Sequence, residues 1–253
     1  MTLVTVEDEG HVRTITLDRP ERLNALGPQV REALENAVTE TANGEARVVV
    51  FQGAGRCFSA GADLKDPEPE QETWQRRRRA AGGWGRLLDS IEALPQVTVA
   101  SLHGHVIGGA LLLAVACDLR VAAADVRLSI PELALGIPLT WGGVPRLVRE
   151  IGVPRTRELI LTGHVVGAAQ ALAWGLVHRV GDRDTETHKL VDELLAMPEG
   201  PLAITKDALR AYGRSVVSHE ASWADADLLE TSRSNEESRA AAADYFAKFT
   251  RRD

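Results

Sequence analysis

At 253 residues the chain is long enough for one large α/β domain with a sizeable core. Apolar residues make up 44% and charged residues 26%, ordinary for a soluble globular protein, and the net charge of −7 gives no global support to a nucleic-acid or anionic-membrane partner. Cys57 and Cys117 lie far apart without metal or redox spacing, the amino terminus has no basic start leading into an apolar run, and no apolar stretch reaches the ~20 residues of a membrane helix. The expectation is a cytoplasmic protein in a reducing compartment.

The first predicted element is a β-hairpin. Val4 and Val6 alternate with polar residues up to the turn Asp8-Glu9-Gly10, and residues 12–17 return. Residues 28–41 follow, with Val30, Ala33, Leu34, Ala37 and Val38 on one helix face. Strand signals recur at 48–51, 97–102 and 119–122, separated by helical or irregular stretches, which predicts an α/β architecture of stacked turns. No internal repeat is strong enough to show the stacking directly. From 66 to 85 the composition shifts to Pro67, Pro69, several acids and then Arg76, Arg77, Arg78 and Arg79. That segment reads as a solvated connection or surface helix, the alternative being a set of guanidinium groups that meets phosphate. Beyond Gly200 the chain is mainly helix-like.

Two short stretches carry the chemistry. Cys57-Phe58-Ser59-Ala60-Gly61-Ala62-Asp63-Leu64-Lys65 follows the strand at 48–51, and His103-Gly104-His105-Val106-Ile107-Gly108-Gly109-Ala110 leads into a helix at 111–116. A glycine pair that opens a helix leaves free N–H groups and the positive end of the dipole facing whatever docks there. Two such donors on one oxygen form an oxyanion hole, where losing one donor costs roughly 2.7–4 kcal/mol of transition-state stabilisation.

These stretches, with "LDRPERLNAL" at 17–26, "SIPELALGIP" at 129–138, "LTGHVVGAAQALAWGLVHRV" at 161–180 and "PLAITKDAL" at 201–209, closely resemble the crotonase superfamily of enoyl-CoA hydratases and isomerases. The likeness covers nearly the whole chain. It implies a spiral of ββα units over residues 1–200, and a helical C-terminal region over 201–253 that serves oligomerisation and pocket closure. It also implies an acyl-CoA thioester as substrate, with coenzyme A entering only as part of it and no tightly bound cofactor, and a homo-oligomer, a trimer or dimer of trimers. By resemblance the backbone N–H groups of Ala62 and Gly109 form the hole. Ala60, Asp63, Leu64 and Lys65 fall where the family binds the adenine end of coenzyme A. Lys65 either pairs with a phosphate or stands as an ordinary exposed lysine.

Glu132, in "IPEL", aligns with a catalytic glutamate of the family. Leu128, Leu133 and Leu135 around it should raise its pKa toward what a general base near neutral pH requires. Hydratases of the family place a second glutamate one helical turn after the glycine pair, and here that position is Leu112, on the same helix face as Gly108. Thr140 stands where hydratases usually carry a glycine, and Trp141 follows it. The pattern implies single-base isomerisation of the Δ3,Δ2-enoyl-CoA type. Two alternatives stay open: a specialised or weak hydratase or lyase, and a non-catalytic acyl-CoA-binding protein.

Other residues invite weaker readings. His103 and His105 lack a carboxylate or cysteine nearby and make a poor metal site, so no metal is expected. His164 and His178 read as surface or packing residues, Asp118 as structural, and Ser59 as no nucleophile because "FSAGA" is not the G-x-S-x-G elbow. Lys206 reads as an exposed helix lysine or one that reaches a coenzyme A phosphate. Trp84, Trp141, Trp174 and Trp223 are widely spaced in sequence and show no stacking platform for nucleic acid.

Overall fold

The computed structural model describes residues 2–66, 73–218 and 222–250. Pro67 and Pro69, part of the composition shift, lie outside the described residues. The predicted hairpin is present as β1 (Val4–Glu9) and β2 (Val12–Leu17), antiparallel about Gly10. Helix α1 (Pro28–Ala42) then turns Val30, Leu34, Ala37 and Val38 inward, the face expected from their spacing.

Strand β3 (Val48–Gly53) pairs parallel to β2, and β4 (Val97–Leu102) parallel to β3. Both are buried on two sides, as continuous β-branched runs in a parallel sheet should be. Val49 and Phe51 enter the main core, while Val48 and Val50 enter a smaller one on the opposite face, as alternation along a strand demands. Between β3 and β4 lie α2 (Trp74–Ala81) and α3 (Gly83–Glu92). The arginine run is therefore a surface helix. Arg77 and Arg78 face the acids Glu230 and Asp227 at 3.3 and 2.8 Å.

After β4 the unit is β5 (His105–Ile107) and then α4 (Gly109–Ala116), whose eight residues are all buried. After it come β6 (Leu119–Ala123), β7 (Arg127–Ser129), a 3-10 turn over Glu132–Leu135, and α5 (Gly143–Thr162), broken at Gly152. The chain closes with β8 (Val166–Gly167), α6 (Ala168–Trp174), β9 (Arg179–Gly181) and α7 (Arg183–Leu195). Helices α8 (Glu199–Val216), α9 (Asp225–Ser234) and α10 (Glu236–Thr250) make the C-terminal region helical, as expected. Leu190 and Val191 of α7 cover the smaller core.

Two sheets organise these units. One runs β1-β2-β3-β4-β6-β9, the other β5-β7-β8. Each turn of the spiral contributes a strand to the first sheet, a short pairing segment to the second, and then helix. Ser59 bridges Val106, Val106 pairs with Leu128, and Leu128 pairs with Val166, so successive turns are stacked in register.

The loop after β3 is fixed by Asn24. This buried amide donates to the carbonyls of Ala54, Cys57 and Phe58 at 2.8, 2.9 and 3.1 Å. Its own oxygen accepts the Arg19 N–H at 2.9 Å. Asn24→Ala should strip these partners from a buried turn and lower stability by about 2–4 kcal/mol, read as a shift of the denaturant midpoint at unchanged slope.

Candidate active site

The register of the second sheet brings the two glycine-rich stretches together. Ala62 lies three residues after Ser59, Gly109 three after Val106, and Glu132 four after Leu128, so three consecutive turns deliver their ends to one place. Gly61 packs against the Ile107 carbonyl, and a Cβ on it would stand 3.8 Å from the Gly109 nitrogen. Gly109 opens α4, so its N–H has no partner one turn back. Among the described residues neither it nor the Ala62 N–H donates a hydrogen bond to another group. Two orphan donors thus stand on adjacent turns.

Glu132 closes the site. A Cβ on Gly108 would come within 2.5 Å of its Oε1, and Gly108 takes a φ of +55°, so only glycine leaves room for this carboxylate. The residue keeps part of its surface exposed, but Oε2 is buried without a hydrogen-bond partner. Burial pushes its pKa from 4.5 up to about 7, against a smaller lowering by its own backbone. Tyr245 on α10 faces it: the phenol is raised first by burial and then by the Glu132 charge. The C-terminal helices reach this turn directly, with Ser232 Oγ donating to Gly136 O at 2.6 Å and Gly136 packed on the Ser238 carbonyl.

The packing around Gly109 and Gly143 is apolar. Leu112 is 1% exposed and packs beside Leu139 at Gly143, where a Cβ would lie 2.9 Å from a methyl of each leucine. Thr140 is buried, and its carbonyl accepts the Gly143 N–H at 3.0 Å. The Trp141 ring covers Gly109 so closely that a Cβ there would overlap it. Trp84 stacks on Trp141 with centroids 4.7 Å apart and planes 14° from parallel. Sequence spacing did not reveal this pair, because the partners come from different turns of the spiral.

The remaining candidates divide by surroundings. Leu64 and Lys65 are exposed at the rim and Ala60 is half-buried. Asp63 turns inward and pairs with Arg19 and Arg22 at 2.7 and 2.9 Å. Its burial, which alone would raise the pKa, is outweighed by the Lys65 N–H and the two guanidinium groups, so the carboxyl sits below its ordinary value. Ser59 Oγ donates to Asn24 O and accepts the Gly61 N–H, which fixes the loop. His103 bonds the Gly55 carbonyl and Arg183, and His178 accepts the Arg120 N–H; both are packing groups. Lys206 corrects the expectation of an exposed or phosphate-reaching lysine. It is 7% exposed and donates to Gln96 O at 2.6 Å beside Asp118 at 2.7 Å. Asp118, structural as expected, also accepts the N–H and hydroxyl of Thr98.

A spiral of strand–strand–helix turns that gathers backbone donors and a buried carboxyl at one edge is the crotonase class of fold. Residues 7–251 match the family described as enoyl-CoA hydratase/isomerase, and the chain belongs to that family as an acyl-CoA enzyme. It is 35% identical over 204 residues to the mouse mitochondrial enoyl-CoA hydratase domain-containing protein 2, covering 76% of this chain and 67% of that protein. Among solved structures, an enoyl-CoA hydratase from Bacillus anthracis is 32% identical with a TM-score of 0.77, over 82% of each chain. One from Mycobacterium avium subsp. paratuberculosis is 26% identical with a TM-score of 0.86, over 96% of this chain and 98% of that one.

The raised Glu132 pKa has a stability consequence of defined sign. The unfolded chain ionises this carboxyl near 4.5 and the folded chain near 7, so stability present below the lower value is lost as pH rises through the upper. The shift bounds the loss at roughly 3 kcal/mol. Glu132→Gln should therefore match the parent near about pH 4 and exceed its stability by about 1–3 kcal/mol near about pH 8, measured by urea denaturation at both values.

Proposed function

We propose that the protein is a Δ3,Δ2-enoyl-CoA isomerase-type enzyme in which one glutamate moves the proton. The thioester oxygen sits between the N–H groups of Ala62 and Gly109. Glu132 removes a proton from C2, and the electron pair enters the carbonyl to give a dienolate held by the two donors. The same carboxyl then returns the proton at C4, so the double bond moves from C3–C4 to C2–C3 and no water is consumed. The observation that supports this reading is the burial of Leu112, which by resemblance stands at the position of a hydratase's second carboxylate. An apolar wall cannot hold a nucleophilic water, and it keeps Glu132 basic enough to act near neutral pH.

Hydration by Glu132 alone is the second reading, favoured by the hydratase names of the relatives. Assembly as a trimer or dimer of trimers is supported by exposed apolar side chains on α8, among them Ile204 at 72% and Tyr212 at 71%.

With 3-hexenoyl-CoA the absorbance of the conjugated thioester should rise, and Glu132→Ala should slow the rise by about 100-fold or more. The base must be ionised to act, so kcat/KM should climb as pH passes through about 7. Bound ligand without any rise would overturn the isomerase reading and leave hydration or non-catalytic binding.

A further inference from the structure

The indole of Trp141 occupies the space beside the oxyanion donors, and three observations fix it there. Gly109 has no room for a methyl group because the six-membered ring lies against its Cα. Trp84 backs the indole in a parallel stack at 4.7 Å and is itself buried. The Trp141 backbone is left-handed at φ +61°, and its carbonyl accepts from Arg146 at 2.7 Å while the next N–H, of Gly142, donates to Asp225 at 2.8 Å.

Behind the tryptophan lies a cavity of about 220 Å³ walled by Arg78, Arg86, Asp89, Arg146 and Asp225. Ala81, Trp223 and Ala226 share the lining, but an alkyl chain that entered would displace water from the five charged groups. The indole lies against Gly109, and the same residue lines this cavity. With Leu112 and Leu139 packed on the adjacent side, the ring leaves little room for an acyl chain beside Gly109.

We propose that the Trp84–Trp141 stack is the end wall of the acyl site and restricts the substrate to short-chain acyl-CoA thioesters. The inference rests on the acyl-thioester reading of the site but not on which reaction follows. Removing the indole would open a slot against the face of Trp84, long enough for further methylenes. Glycine at 141 accepts the left-handed backbone without strain. Replacing Trp84 would loosen the same wall from behind.

The test is calorimetric binding of coenzyme A, butyryl-CoA, hexanoyl-CoA and decanoyl-CoA to the parent, Trp141→Gly and Trp84→Leu. The parent should bind butyryl-CoA at least about tenfold more tightly than decanoyl-CoA, the scale on which forcing extra methylenes into a filled space is felt. That preference should vanish or invert in Trp141→Gly and weaken in Trp84→Leu. Equal affinity of the parent for the short and long thioesters would overturn the wall, as would a preference unchanged in a folded variant. Failure of the parent to bind any of the four ligands would overturn the thioester reading itself, and the wall with it. Binding without turnover of 3-hexenoyl-CoA would remove only the isomerase step, and the length profile would still decide the wall.

Discussion

The register of the short second sheet is the constraint on which the rest of the molecule depends. Its strands have two or three residues each, too few to be stable alone, and the long parallel sheet beside them supplies the support. Once Ser59, Val106 and Leu128 are level, the chain reaches Ala62, Gly109 and Glu132 at equivalent places on three turns. A slip of one residue would reverse every side chain in the short segments and carry the Gly108–Gly109 pair away from Glu132. The glycines belong to the same constraint: one gives way to a carboxylate and the next to an indole.

Burial sets the electrostatics of the site and its access to water together. The carboxyl of Glu132 has an unpartnered buried oxygen and no guanidinium or ammonium among the causes of its pKa. Desolvation therefore acts almost unopposed, unlike at Asp63, where two arginines and a backbone N–H overcome it. Two carboxylates on the first and third of these turns are thus driven in opposite directions. Asp63 is held ionised as a fixed anchor for the donor loop, while Glu132 is left able to take up and release a proton near neutrality.

Local signals were legible in the sequence, and encounters between turns were not. The hairpin, α1, β3, β4 and β6 follow from alternation and helical spacing, and the two glycine-rich stretches name the orphan donors. The spiral repeat stays hidden because its pairing segments are short and share no common pattern: Ser59, Val106, Leu128 and Val166 are level only in the folded chain. The Trp84–Trp141 stack and the burial of Lys206 against Asp118 are hidden for the same reason, since each joins residues dozens of positions apart. Asn24 stood inside a recognised segment, yet only three carbonyls converging from the next turn reveal what its amide does. Leu112 carries meaning by resemblance alone: helical spacing sets it on the face of Gly108, and only the family pattern says that a hydratase has a glutamate there.

The charge network behind Trp141 shows how stability and position separate. Arg146 is 1% exposed and spreads its guanidinium over Glu92 at 2.9 Å, Asp89 at 2.6 Å and the Trp141 carbonyl at 2.7 Å. Glu92 also receives Arg149 and Arg214. Burying so many charges adds little net stability, because desolvation consumes most of the Coulombic gain. A left-handed tryptophan costs on the order of 1–3 kcal/mol more. Apolar packing of similar volume could replace the network without loss of stability, but it would supply no donor for the Trp141 carbonyl. The arrangement makes physical sense as positioning: the buried guanidinium holds the backbone in a conformation it would not otherwise adopt, and that conformation lays the indole against Gly109.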